Sequence, residues 1–285
     1  AKARMFAYLV DNMALGFSRF DCFPAITCWD RYARPLTPVL RKRELHVDAK
    51  YEPELAAAVK EGRRAFKWTL YKDFDHSAPD WDTILKLGFP GMKARVDAIE
   101  KDTPFYNAEK MTAAACLRFV SRLRSVAKSS QDATSPMVRK AIESLERLEK
   151  GPPVTVFDVM QFTMVYFILS EHVDCFQVRT LGNIDRLWWP YYRADLAAGR
   201  TTETEFREEF RHFLWQFGSI DNYWGHPIYL GGTKKDGSTE YNPLSRIILD
   251  VVDQEGLASP KFQLKFAENT PTEIWHRALS MLRRH

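Results

Sequence analysis

EHVDCFQVRTLGNIDRLWWPYYRADL, residues Glu171 to Leu196, is the stretch whose reading decides the fold. It leaves an almost wholly apolar segment, Val156 to Leu169, which predicts a buried helix. A short strand is expected through Phe176 to Leu181, then a turn at Gly182, then an aromatic-rich helix beginning past Asp185. Strand alternation puts Gln177 and Arg179 on one face and Phe176 and Val178 on the other. An arginine, a turn glycine and an aspartate three residues after that glycine are unusual between apolar helices, because buried charge needs a partner or a ligand.

Downstream, Gly199 closes the helix and Thr202-Glu203-Thr204-Glu205 is a capping box that opens another, with Phe206, Phe210, Phe213 and Phe217 toward the core. Two further strands are expected at Pro227 to Leu230 and Lys261 to Phe266, with a helix from Asn242 to Val252 between them. A last helix opens at Thr270-Pro271-Thr272-Glu273 and carries Ile274, Ala278, Leu279 and Leu282 on one side. Strands alternating with helices imply βαβ units and a parallel sheet. About three strands cannot close a barrel, so the sheet is expected to have open edges.

Upstream the chain reads as nearly all helix. One runs over Lys2 to Met13, and Gly16 to Pro38 is packed irregular coil. Another runs from Pro53 to about Trp68. Ser77 is read as the N-cap of a short helix stopped at Gly88. Thr103-Pro104 starts the next helix, with Cys116, Phe119, Val120, Leu123 and Val126 in one stripe and Arg118, Arg122 and Lys128 toward water. Residues 129–135 form a loop, and Ser135-Pro136 opens a helix with a Val138, Ile142, Leu145 and Leu148 stripe and a Glu143–Arg147 pair. Gly151-Pro152-Pro153 ends it.

At 285 residues and 45% hydrophobic content the chain can build a sizeable core. The net charge of +4 comes from 41 basic and 37 acidic residues in mixed sequence, which argues against a nucleic-acid surface. The longest apolar run is broken by Asp158 and Gln161 and is too short for a bilayer, so no membrane is expected. No export signal opens the chain, and a first residue other than Met suggests a cut or cleaved product. The four cysteines, Cys22, Cys28, Cys116 and Cys175, fit no zinc or redox spacing and imply a reducing, cytoplasmic setting. Cys22 and Cys28 are read as buried thiols over a metal or disulfide pair.

The central stretch resembles the glycyl radical enzymes, the pyruvate formate-lyase superfamily, where a Gly-Arg-x-Asp-Gln run leads into an aromatic-proline-aromatic-tyrosine helix. Gly182, Asp185 and Trp189-Pro190-Tyr191-Tyr192 match, with Asn183 in the arginine place and Arg186 in the glutamine place. Downstream the resemblance includes Gly231-Gly232, Asp236-Gly237, Asn242-Pro243-Leu244-Ser245 and Asn269-Thr270-Pro271. Upstream it includes Asp80-Trp81, Gly88-Phe89-Pro90-Gly91 and Phe105-Tyr106-Asn107. The fold this implies is helix-rich α/β. Residues 1–153 would form a mainly helical N-terminal region, and 154–285 the first part of a ten-stranded α/β barrel within one continuous family domain.

In that family a glycine radical takes hydrogen from a cysteine, and the resulting thiyl takes one from a substrate C–H inside the barrel. Neither the Gly-Cys loop nor the Arg-Val-x-Gly-Tyr motif is present here, so no catalytic residue is assigned and the chain is expected to be the front part of a longer enzyme, inactive alone. The resemblance implies no cofactor or metal in this chain. The radical would be installed by a separate iron-sulfur activating enzyme using S-adenosylmethionine. Expected partners are a small polar substrate, the remaining C-terminal part of the enzyme, the activating enzyme and a second copy in a homodimer.

Candidate substrate-binding residues are Asp185, Arg179, Gln177, Asn183 and His226. Asp185 resembles the family aspartate at the end of the first barrel strand, and either bonds a substrate hydroxyl or ammonium or serves as an N-cap or supporting carboxylate. Arg179 and Gln177 either bind an anionic group inside the barrel or, for Arg179, form a structural ion pair. His226 is a pocket acid or base or a structural histidine. His76 and His172 are read as supporting, and Trp188, Trp189, Tyr191 and Tyr192 as packing helix against sheet. The leading expectation is an anaerobic dehydratase or lyase that cleaves a C–X bond. A non-catalytic scaffold of the same fold, a formate C-acetyltransferase and an aryl-acid decarboxylase are the alternatives.

Overall fold

The computed structural model describes residues 2–17, 22–26, 50, 52–65, 76–130, 132–174, 177–178, 180–219 and 226–284. The chain begins with α1 (Lys2–Asn12) and a two-strand antiparallel pair, β1 (Leu15–Gly16) with β2 (Ala25–Ile26). There follow α2 (Pro53–Arg64), β3 (His76–Ser77), α3 (Trp81–Asp97), α4 (Pro104–Lys128) and α5 (Pro136–Lys150). The apolar segment is α6 (Val156–Phe167), which runs on into a π-helical turn, Ile168–Val173. Then come β4 (Gln177–Val178), β5 (Gly182–Asn183), α7 (Ile184–Ala197), α8 (Glu203–Gly218), β6 (Ile228–Gly231), α9 (Pro243–Glu255), β7 (Phe262–Lys265) and α10 (Thr272–Arg284).

The helix starts follow from local chemistry. The hydroxyls of Thr103 and Ser135 accept from Tyr106 N and Val138 N, each with proline next in the chain, where the missing N–H costs nothing. Thr202 and Glu205 form the expected capping box, and Thr155 with Asp158 forms another. The closing glycine Gly199 and the stripe of Phe206, Phe210, Phe213 and Phe217 also match the sequence reading, all four rings being fully buried, while the helix expected over Asn242 to Val252 is capped by Asn242 and runs on to Glu255. Trp188 meets Phe210 and Phe213 edge-on at 6.0 and 5.3 Å, so it packs rather than stacks on a ligand.

Several expectations give way to tertiary contacts. The helix expected to stop at Gly88 continues to Asp97 past a break at Gly88 (φ 61, ψ 177) and Pro90, and its cap is Asp80, whose carboxylate accepts from Thr83 N, not Ser77. Ser77 is instead in β3. On α4, Arg118 and Lys128 are exposed as expected, Arg118 pairing with Asp11, but Arg122 is half-buried and donates to the Val10 and Met13 carbonyls at the end of α1. Ala127 and Ala141 hold the core places expected for Val126 and Ile142. Arg147 bonds the buried Asp158 bidentately at 2.9 and 2.8 Å, a contact between α5 and α6, in place of the expected pair with Glu143. On α10, Ile274 and Ala278 are buried while Leu279 and Leu282 are exposed.

Helices α1 and α3 both pack on α4, α4 packs on α5 and α5 on α6, and α6 carries the core across to α7 and α8. Instead of one strand over Phe176 to Leu181, two appear. β4 pairs parallel with β3, His76 opposite Gln177, and β5 begins at Gly182, where a turn was expected. Phe176 and Arg179 lie outside the described residues, as do Cys28 and Cys175. Strands β5, β6 and β7 form a parallel sheet in that order, and among the described residues neither outer strand has a further neighbour. Its register sets Gly182 beside Ile228 and Phe262, and Asn183 beside Tyr229 and Gln263.

Candidate functional site

The sheet has two unlike faces. Ile228 and Leu230 are buried against the helices, and a Cβ on Gly182 would meet Leu187 and Trp81 at 2.6 and 2.8 Å, so that face is closed. Only glycine suits this place, because its φ is +93° and the indole and leucine leave no room for a side chain. Alternation then turns Asn183, Tyr229, Gln263 and Lys265 to the other face, where Gln263 and Lys265 are exposed and the Lys265 ammonium lies 5.2 Å from the Tyr229 ring centre. Parallel sheets are normally covered on both faces, and ligands gather outside the carboxyl ends of their strands.

At those carboxyl ends sits Asp185, fully buried in the first turn of α7. One oxygen accepts from Asn183 Nδ2 and Arg186 N, each at 2.9 Å. The other accepts from Gly231 N at 2.9 Å and Ser245 Oγ at 2.6 Å. Asn242 Nδ2 donates to the Asp185 carbonyl at 3.0 Å, and Asn242 also caps α9. One carboxylate thus clasps β5, β6 and α9. Burial pushes its pKa up, against the pull of the Ser245 hydroxyl and the Gly231 and Arg186 amides. Gly231 has φ +70°, and any Cβ there would lie within 2.5 Å of the Tyr241 ring. Burial, helped by Asp185, pushes that tyrosine up to about 12.

The segment before β5 is tied down by Trp81 Nε1 donating to the Thr180 carbonyl at 3.1 Å and by Leu181 N donating to the Pro227 carbonyl at 2.9 Å. Arg186, in the family's glutamine place, points outward and forms a bidentate pair with Asp82 at 2.8 Å. His226 is buried at the opposite end of β6 from Asp185. It lies edge-on to Phe167 at 4.6 Å, with Nε2 3.8 Å from Glu171 Oε1 in the π-helical turn. His172 meets Phe167 edge-on as well. The fold therefore brings Asn183 and Asp185 together and sets His226 apart, roughly 16 Å away along the strand. Gln177 enters through its pairing with His76.

Sequence reasoning missed Gly231, Tyr241 and Ser245 as members of this cluster, although the Gly231-Gly232 and Asn242-Pro243-Leu244-Ser245 motifs marked the segments. It also missed Tyr229, Gln263 and Lys265, whose only signal was strand alternation. Among the described residues no group of three or more His, Cys, Asp or Glu side chains can hold a metal ion. No helix among them is long and apolar enough to cross a membrane.

Residues 32–285 match the family described as Pyruvate formate lyase-like. The chain belongs to this family. Pyruvate formate lyase-like relatives include a trans-4-hydroxy-L-proline dehydratase of Clostridioides difficile, 24% identical over 238 residues, covering 71% of this chain and 30% of the relative. A 4-hydroxyphenylacetate decarboxylase glycyl radical subunit from the same species is 23% identical over 150 residues, 48% of this chain and 17% of the subunit. The glycerol-bound form of the B12-independent glycerol dehydratase from Clostridium butyricum superposes with a TM-score of 0.75 at 15% identity. That match covers 99% of this chain and 44% of the dehydratase. The chain therefore spans less than half the length of these relatives, and the helix-rich α/β architecture is that of the pyruvate formate lyase-like fold.

Proposed function

We propose that this chain forms one wall of the substrate pocket of a glycyl radical enzyme that cleaves a C–X bond of a small polar substrate, as a dehydratase or lyase. The observation that carries the reading is the second face of the β5-β6-β7 sheet, where Gln263 and Lys265 are exposed beside Tyr229 and the buried Asn183, at strand ends clasped by Asp185. Residues 154–285 supply the first barrel strands and 1–153 buttress them. Asn183 belongs to that wall, and Gln177, on β4, belongs to the neighbouring strand pair that precedes it. Asp185 fixes its geometry from behind, and His226 supports it at the far end of β6. The reactive cysteine and the radical glycine come from the remaining part of the enzyme, and a separate S-adenosylmethionine iron-sulfur enzyme installs the radical. The setting is anaerobic and cytoplasmic, and the assembled enzyme is a homodimer.

Enclosure is the physical reason for a wall of this kind. Hydrogen transfer between glycine, cysteine and substrate carbon needs close approach and exclusion of water. An aryl-acid decarboxylase is the second reading, favoured by the decarboxylase subunit's similarity over 150 residues. The test is anaerobic incubation of the chain with an activating enzyme, S-adenosylmethionine and either glycerol or trans-4-hydroxy-L-proline. The chain alone should give no glycyl radical signal in electron paramagnetic resonance and no product. Adding a polypeptide that carries the Gly-Cys loop and the Arg-Val-x-Gly-Tyr motif should give both. Turnover by the chain alone refutes the proposal, and 4-hydroxyphenylacetate consumption by the completed enzyme in place of the other two shifts it to the decarboxylase.

A further inference from the structure

Between α1, α3, α4 and the end of α6 lies a cavity of about 430 Å³, and none of the described residues that line it belongs to β5, β6 or β7. Its wall is largely apolar, with Phe6 of α1, Ile84, Leu87 and Met92 of α3, Tyr166 of α6 and Leu169 of the π-helical turn. Cavities of this size hold small molecules, and π-helical turns recur at functional sites. Inside, the polar side chains are engaged. Thr112 Oγ1 donates to the Ala108 carbonyl at 2.9 Å, the Tyr166 hydroxyl is hydrogen-bonded to Ser170, and Asp174 is paired with Lys2 at 2.9 Å. Burial pushes the Cys116 thiol up to about 12, so it too is neutral. The free charge is at the opening, where Arg95 of α3 and Glu109 of α4 line the cavity yet are exposed. Among the described residues neither takes part in an ion pair.

We infer that this cavity is a second ligand site, for a free α-amino acid with an aromatic or long aliphatic side chain. The side chain enters the cavity, the carboxylate meets Arg95 and the ammonium meets Glu109. An interior whose polar groups already have partners gains by taking hydrocarbon out of water and gives nothing to a charged group pushed inside. The charged end of the ligand is therefore held at the opening. A guanidinium takes a carboxylate through two parallel N–H donors, and an ionised carboxylate only accepts, which suits an ammonium. Opposite charges on the two sides of one opening favour a ligand that carries both. An acid without the amine would meet the like charge of Glu109, and an amine without the acid that of Arg95. The site is separate from the strand ends at Asp185 and does not depend on how that face is read.

Ligand-observed NMR titration of the full chain with phenylalanine, phenylpropionate, phenylethylamine and glycine tests this. The second lacks the ammonium of phenylalanine, the third its carboxylate and the last its side chain. Phenylalanine should bind with a Kd of about 1 mM or tighter, and each of the others more weakly by about twofold or more. Arg95→Gln should weaken phenylalanine by about two- to fivefold without weakening phenylethylamine, and Glu109→Gln should do the same without weakening phenylpropionate. Ala113→Leu, which enlarges a side chain on the cavity wall, should abolish phenylalanine binding. Equal binding of all the probes, phenylalanine binding untouched by Ala113→Leu, or no phenylalanine binding overturns the inference. So does a crystal structure in which a side chain of a second copy fills the cavity. If Ala113→Leu does not fold, the two exposed charge variants decide.

Discussion

Replacing Asp185 by alanine removes the acceptor for four donors at once: Asn183 Nδ2, Arg186 N, Gly231 N and Ser245 Oγ. The asparagine amide and the serine hydroxyl can rotate toward other partners. The two backbone N–H groups cannot, since one is fixed in the first turn of α7 and the other at the end of β6. At about 1–3 kcal/mol for each buried donor left unmade, those two alone predict a loss of about 2–6 kcal/mol, a large part of the roughly 5–15 kcal/mol that holds a folded chain. Asp185→Asn keeps the shape but only one acceptor oxygen, so one fixed donor is orphaned and the loss should be about 1–3 kcal/mol. Arg186→Ala is the control. It breaks an ion pair whose side chains are 41% and 65% exposed, so it should cost about 0–1 kcal/mol. Urea unfolding measures the three differences, and hydrogen exchange should show the Gly231 amide losing protection in Asp185→Ala. A loss within about 1 kcal/mol of the unaltered chain, or no larger than that of Arg186→Ala, refutes the clasp.

Three further outcomes follow from particular contacts. Gly231→Ala should lower the melting temperature markedly, because its Cβ would fall inside the Tyr241 ring, while Gly237→Ala, with φ +82° and nothing within 4 Å, should cost only about 1 kcal/mol of backbone strain. Equal losses would show that the tyrosine moves aside freely. Glu209 has its pKa raised, by burial first, with Lys140 pulling it down. Its contribution to stability is complete below the unfolded carboxyl value and is lost as pH rises through the higher folded value. Glu209→Gln abolishes that loss, so its melting temperature relative to the unaltered chain should rise between pH 4 and pH 7, and a flat or falling difference contradicts the assignment. Burial pushes the Cys116 thiol up to about 12, so at pH 8 its alkylation by iodoacetamide, mapped by mass spectrometry, should be on the order of a thousandfold slower than that of a free cysteine. Labelling at the free rate would mean that the thiol is open to water.

What the sequence disclosed depends on how far apart the interacting residues lie. Caps at Thr103, Ser135 and Thr202 involve neighbours three residues away, and the phenylalanine stripe of α8 repeats within one helix, so both were legible. The bond from Arg147 to Asp158 spans eleven positions and overrode the i,i+4 pair that a single-helix view favours. Pairing of β3 with β4 joins segments about a hundred residues apart, and strands of two residues carry no periodic signal. The strand boundary at Gly182 was misplaced for a related reason. A glycine with positive φ reads as a turn, whereas here it is glycine because Trp81 and Leu187 crowd the sheet at that point.

The site shows the same limit in a sharper form. Reading a sequence ranks residues by charge, so Asp185 drew attention as an ionisable group between apolar helices, and neutral Asn183 counted mainly as a departure from an arginine. Burial works the other way. A carboxylate taken out of water must be surrounded by donors, and Asp185 has four, two of them 46 and 60 residues further along the chain. A neutral amide is cheaper to bury half-satisfied, so it can keep one oxygen in reserve. The unmade hydrogen bond of this cluster therefore sits on the uncharged residue, and it becomes visible only when the charged one's partners have been counted.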